Sequence, residues 1–127
     1  MRAKEFMHEF ITQPQLDQVE EICNKLWGKL GIDIEFSRHF LDRVNDERNG
    51  KEITVDELIN LFKKEYRFNG QLIADMQGST EAVMRDILTS VNVPFIVQDK
   101  KLDRTLVAKT VMRKANFKTP DPEFKVK

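Results

Sequence analysis

Residues 92–113, NVPFIVQDKKLDRTLVAKTVMR, decide the fold class. Asn92 to Val97 is dense in β-branched and aromatic side chains, Asp99-Lys100-Lys101 has the composition of a turn, and Leu102 to Arg113 is the longest run with strand character. Two such runs joined by a short polar turn predict an antiparallel pair. Pro94 marks an edge or a bulge, because it has no N–H to give to a ladder. In the second run, alternation sets Val107, Lys109, Val111 and Arg113 on one face and Leu106, Ala108, Thr110 and Met112 on the other. A strand with both faces largely apolar belongs in the middle of a sheet. Lys109 is then at least partly enclosed and needs a partner, either an acidic side chain or a ligand phosphate.

The β texture begins upstream. Glu81 to Leu88 fits a strand or a helix and is read as a strand, because Val83, Ile87, Val91, Val93, Phe95 and Val97 form no sustained helical stripe. Before residue 81 the chain is helical. Leu16, Val19, Ile22, Cys23, Leu26, Trp27 and Leu30 follow the spacing of one helix face, with Pro14 in the first turn and Gly31 suited to a left-handed stop. Gly28 weakens the last turn. Ile32 to Phe36 alternates apolar and acidic, as a half-buried strand does. Ser37 is placed to cap a helix running to Val44, which the turn-rich Asn45 to Gly50 ends. Thr54 and Glu57 form a capping box for a helix that buries Leu58, Leu61 and Phe62 and stops at Asn69-Gly70. Residues 115–127 hold two prolines and no period, and read as a tail along the surface. The expectation is an α+β domain over residues 12–119, preceded by a leader or docking helix over 1–11 and followed by a tail over 120–127.

The chain has 127 residues and no net charge, which fits one soluble globular domain and argues at first against a nucleic-acid partner. The halves differ, however. Residues 1–99 carry 12 basic and 18 acidic side chains, and residues 100–127 carry 9 and 3, so the net charges are −6 and +6. A basic C-terminal quarter reopens a polyanion partner. No run of apolar residues is long enough to cross a membrane. The single cysteine, Cys23, lies on an apolar stripe and reads as core packing rather than as a nucleophile. His8 and His39 are too far apart in the chain to form a metal motif, and no glycine-rich phosphate loop is present, so neither a metal nor a cofactor is expected.

Two constellations carry chemistry. In Ser37 to Arg43, His39 and Arg43 stand four apart, on a helix face opposite Phe40 and Val44. A histidine near a helix N-terminus is held neutral and can serve as a general base. The plainer alternative is that His39 bonds a backbone carbonyl and Arg43 pairs with Asp46 or Glu47. In Leu106 to Lys114, Lys109 and Arg113 are spaced to hold two points of one phosphodiester. The plainer alternative there lets Lys109 snorkel to the sheet surface or pair with Glu35 or Asp86, and leaves Arg113 as a solvated strand end.

The order H-F-x-x-R-V-x-x-x-R, a capped helix, N-V-P-F-I-V and a final V-A-K-T-V-M-R-K strand resembles phage-encoded relatives of the RelE and colicin-type RNase fold. The resemblance spans residues 32–119. It implies a RelE/barnase-like arrangement, N-terminal helices packed on a four-stranded antiparallel sheet, and metal-independent RNA cleavage. It makes His39 the base or acid, Lys109 and Arg113 the phosphate stabilisers, and Arg43, Arg48 and Lys114 the RNA-binding auxiliaries. The first residues, MRAKEFMHE, are similar to the capsid-targeting leaders of internal head proteins in tailed phages. That similarity implies cleavage after Glu9 by a prohead protease, packaging in the virion and delivery to the host cytoplasm. The alternatives are a head-packaged interaction protein or inhibitor of a host factor with no catalysis, and a DNA-associated head protein held by its basic tail.

Overall fold

The computed structural model describes residues 10–100 and 103–127. The expected leader therefore lies, apart from Phe10 and Ile11, outside the described residues. The element order is α1 (Gln13–Trp27), β1 (Ile32–Phe36), α2 (Phe40–Val44), α3 (Val55–Ala74), β2 (Glu81–Asp86), β3 (Val91–Lys100), β4 (Asp103–Ala108), β5 (Met112–Arg113) and β6 (Glu123–Val126).

The helices start where local chemistry dictates. Thr12 and Gln15 form a capping box ahead of α1, with Pro14 in its first turn. Thr54 and Glu57 do the same for α3, with Thr54 Oγ1 accepting from the Glu57 N–H at 3.1 Å and Glu57 Oε1 accepting from the Thr54 N–H at 3.0 Å. At Gly28 the α-helix tightens into a 3₁₀ turn, which Gly31 closes at φ 75°. α3 differs from expectation. It passes through Asn69-Gly70 and ends at Ala74, because the bare Cα of Gly70 lets Leu30 lie against the helix and Ile73 still has core to fill. Ser37 does not cap α2. Its hydroxyl donates instead to the Lys109 carbonyl at 2.6 Å, and the residue preceding α2 is His39.

The class is α+β, as expected, but the sheet is larger than four strands and is not antiparallel throughout. It has six strands in the order β1-β4-β3-β2-β6, with β5 also paired to β3. β2, β3 and β4 form the expected antiparallel meander. β1 adds to β4 in parallel and β6 adds to β2 in parallel. Every strand therefore runs one way except β3. The parallel edges arise because the chain between β1 and β2 crosses over as α3, and the chain between β5 and β6 crosses back over the sheet.

One face of the sheet takes α1 and α3. Ile32, Ile34, Ala82, Met84, Val93, Phe95, Val97, Leu106 and Ala108 meet Leu16, Val19, Trp27, Leu58, Leu61 and Phe62 in one buried core. Trp27 and Tyr66 pack edge to face at 5.8 Å, which joins α1 to α3. Cys23 lies in this core, and burial pushes its thiol up to about 12, so it is no nucleophile at neutral pH. Ile22, counted on the buried stripe by its spacing, is exposed.

Three sequence expectations fail in the C-terminal third. β3 continues through Asp99 and Lys100, where a turn was expected. The run read as one strand from Leu102 to Arg113 is two, β4 and β5, with Lys109 to Val111 between them. Three residues there face two, Val93 and Pro94, so the strand gains one residue, as in a bulge. Pro94 explains the site of the break. Val83 sends its N–H to the Pro122 carbonyl, away from β3, while the Pro94 carbonyl accepts from the Lys109 N–H at 2.8 Å. The edge of Pro94 that lacks a donor thus faces the interruption. Pro94 sits in a central strand and marks a bulge in its neighbour. Lastly, the surface-tail expectation for residues 115–127 gives way to β6, whose Val126 is buried.

Candidate nucleic-acid interface

The bulge decides where the expected site residues lie. One inserted residue reverses the in-out alternation of everything after it. Lys109 lies on the sheet face away from the helices, where its ammonium pairs with Glu81. Arg113 aligns with Val91, a core residue, and reaches Glu57 at the start of α3 on the helix side. The two groups expected to share one phosphodiester are therefore on opposite faces of the sheet. The alternation that set Val107, Lys109, Val111 and Arg113 on one face stops at Lys109.

Arg113 is not a solvated strand end either. Nε donates to the Lys51 carbonyl at 3.1 Å, Nη1 to the Thr89 carbonyl at 2.7 Å and Glu57 Oε2 at 3.2 Å, and Nη2 to the Glu52 carbonyl at 2.7 Å and Glu57 Oε1 at 2.7 Å. A guanidinium has five N–H groups, and all are taken. Burial pushes the Glu57 carboxyl up, but the Arg113 guanidinium and the Thr54 N–H outweigh it and hold the group below the ordinary carboxylate range. Arg113 is a clamp between β5, the start of α3 and the turn after β2. It has no donor to spare for a catalytic role.

His39 is exposed at the start of α2, one turn before Arg43. Its carbonyl accepts from the Arg43 N–H at 3.1 Å. α2 has only five residues, so it gives His39 little of the dipole expected there. The alternatives considered for the other pairs also shift. Glu35 pairs with Lys100 and Asp86 with Lys64, both at 3.2 Å, rather than with Lys109. Asp46 pairs with Arg48 at 2.7 Å, rather than with Arg43.

What the fold does bring together is the auxiliary set. Arg43, Arg48 and Lys114 line one cleft of about 440 Å³ with Asp46, Asn49 and the run from Thr110 to Arg113. Asn49 builds its floor. Its amide donates to the Arg43 carbonyl at 3.0 Å, and its Oδ1 accepts from the Arg113 N–H at 3.0 Å, fastening the end of α2 to the edge of β5. On one wall Arg48 grips Asp46 through both Nε and Nη2. The side chain of Arg48, and then its backbone N–H, hold the Asp46 carboxyl down at about 2. Among the described residues neither Arg43 nor Lys114 has an ion-pair partner, and both are exposed. Sequence spacing found the three cations but missed Asn49 and Thr110, which line the same cleft. The signal for Thr110 was Pro94, since a proline in a central strand requires a gap opposite.

Comparison with family models, with curated proteins and with solved structures returns no match. The cleft is thus read on its own chemistry. It presents Arg43 and Lys114, the Arg48–Asp46 pair and the Thr110 hydroxyl around an open hollow. Such a set suits a phosphate ester with polar groups on either side. Among the described residues, no three histidine, cysteine or carboxylate side chains gather as metal ligands. No helix among them is long and apolar enough to cross a membrane.

Proposed function

We propose that the protein is an RNA-binding module that takes the phosphodiester backbone in the Arg43–Arg48–Lys114 cleft, without cleaving it. One observation carries this reading: three cations, from α2, the following turn and the residue after β5, converge on one cleft, and among the described residues Arg43 and Lys114 are in no ion pair. The non-catalytic half of the reading is supported by the engagement of Arg113 and Lys109 elsewhere. The RelE and colicin-type resemblance adds the proposal that the chain is a non-cleaving relative of that group, with a larger, mixed sheet. The leader resemblance at Met1 to Glu9 adds the proposal that the protein travels in a phage head.

Fluorescence anisotropy with a labelled single-stranded RNA tests binding. Wild type is expected to bind, and Arg43→Ala with Lys114→Ala to weaken binding by more than tenfold with the thermal melt unchanged. Equal binding by wild type and the double variant sinks the cleft. The same samples run on a gel in EDTA test the second half: intact RNA is expected, and cleavage lost in His39→Ala restores the nuclease reading.

A further inference from the structure

The two edges of the sheet are finished differently. At β1 two of the N–H groups that point away from β4 are taken by α1. Asn24 Oδ1 accepts from the Ile34 N–H at 2.6 Å, and Glu20 Oε2 accepts from the Phe36 N–H at 3.2 Å. These two side chains close an edge that would otherwise offer a template to another strand. β6 has no such closure among the described residues. The Pro122 and Val126 carbonyls accept from the Val83 and Ile87 N–H groups, so by alternation the backbone groups of Glu123 and Lys125 point away from β2. Beside this edge runs a stripe of α3. Lys64 reaches Asp86 at 3.2 Å, and one and two turns further along the same stripe Phe68 and Leu72 are 65% and 61% exposed. They are two of the largest apolar side chains left in solvent.

We propose that β6 pairs antiparallel with β6 of a second copy of this chain, each Phe124 facing its counterpart. Charge chooses the register. With Phe124 at the two-fold axis, Glu123 stands opposite the second copy's Lys125, and Lys125 opposite its Glu123. That gives two opposite-charge pairs on the face away from the helices. Slipping the register by two residues sets Lys125 against Lys125. Phe124 points to the helix face, where the Phe95 ring lies 6.3 Å away. A two-fold axis perpendicular to the sheet puts both copies of α3 on the same side. Phe68 and Leu72 of each copy then close over the paired Phe124 rings. Glu123 already holds Arg85 at 3.0 Å and gains a second cation in the pair. A four-residue strand with two flanking side chains makes a small interface, so the dimer is reversible and concentration-dependent.

Sedimentation velocity over a concentration series, without RNA, tests this independently of the cleft. Wild type is expected to move from monomer to dimer. Lys125→Glu alone, Glu123→Lys alone and Leu72→Lys alone are each expected to weaken the dimer by about tenfold or more. The decisive sample is an equimolar mixture of Lys125→Glu and Glu123→Lys. Each variant repels itself twice, but the mixed pair restores both opposite-charge contacts, so dimer is expected to return. Should Glu123→Lys fail to fold for want of its Arg85 contact, the exposed positions Lys125 and Leu72 carry the test. A wild type that stays monomeric up to about 1 mM overturns the proposal. So does a dimer that Lys125→Glu leaves intact, or a folded mixture that stays monomeric.

Discussion

Arg113 shows how a residue type that suggests chemistry can be consumed by the fold. Its fork joins three backbone carbonyls and a carboxylate from three separate segments. Removing it leaves Glu57 and those carbonyls short of donors. Arg113→Ala is expected to cost about 3 kcal/mol in urea unfolding, and Arg113→Lys to recover less than half, because an ammonium cannot reproduce the fork. A cost below about 1 kcal/mol would free Arg113 for another role. Glu65 is the other residue whose environment is decisive. It is fully buried, with Oε1 accepting from Asn69 at 2.8 Å. Burial raises its carboxyl from 4.5 to about 8; the Asn69 side chain and the Arg85 backbone N–H oppose the rise, and Asp86 adds to it. The folded state therefore keeps a proton that the unfolded chain releases above pH 4.5, and stability falls as pH rises through that window and levels off above 8. Glu65→Gln should flatten the fall, by an amount on the order of 4 kcal/mol between the two ends. Identical pH profiles for the two proteins would show that Glu65 is ionised in the fold. Neither role was legible in the sequence, where Glu65 is one more acid on a helix and Arg113 one more strand cation. The partners of Arg113 (Lys51, Glu52, Glu57 and Thr89) lie far from it along the chain, and the burial of Glu65 depends on the sheet packed against its helix.

Elements set by neighbours in the chain were readable, and elements set by distant partners were not. Thr54-x-x-Glu57 and Gly31 announced themselves because their hydrogen bonds and backbone angles are local. The β4–β5 bulge and β6 did not. The bulge depends on Pro94 in another strand, and β6 is four residues that gain strand geometry only from β2. The three cations of the cleft were found by residue type, while their convergence depended on the bulge. Asn92 secures that arrangement. Its side-chain amide is buried and donates to the carbonyls of Ser90 and Lys114 at 3.1 and 3.0 Å, with the Met112 carbonyl sharing a donor at 3.4 Å, holding β5 against β3. Asn92→Ala is expected to lose about 2 kcal/mol and to release β5 before the rest of the sheet. The check is hydrogen exchange at the Lys114 N–H, bonded to the Ser90 carbonyl at 2.8 Å. It should lose protection while Leu106 keeps its own, and equal loss at both would mean that β5 does not open separately.

Across the whole molecule, the −6 and +6 halves largely neutralise each other by contact. Lys100, Arg104, Lys109 and Arg113 from the basic quarter pair with Glu35, Asp99, Glu81 and Glu57 from the acidic part. Zero net charge is therefore partly an internal interface: four of the nine basic side chains of residues 100–127 are held in ion pairs, and of the described remainder Lys114 lines the cleft. This fixes an expectation for salt. If Arg43, Arg48 and Lys114 are the groups that meet single-stranded RNA, the logarithm of the association constant should fall with the logarithm of salt concentration at a slope of about −2. Arg43→Ala should reduce the slope by about 0.7. If instead the nine basic side chains of residues 100–127 all acted on the ligand, the slope would approach about −6 and Arg43→Ala would leave it nearly unchanged. The measurement thus separates a cleft that holds a few phosphates from a surface that coats nucleic acid.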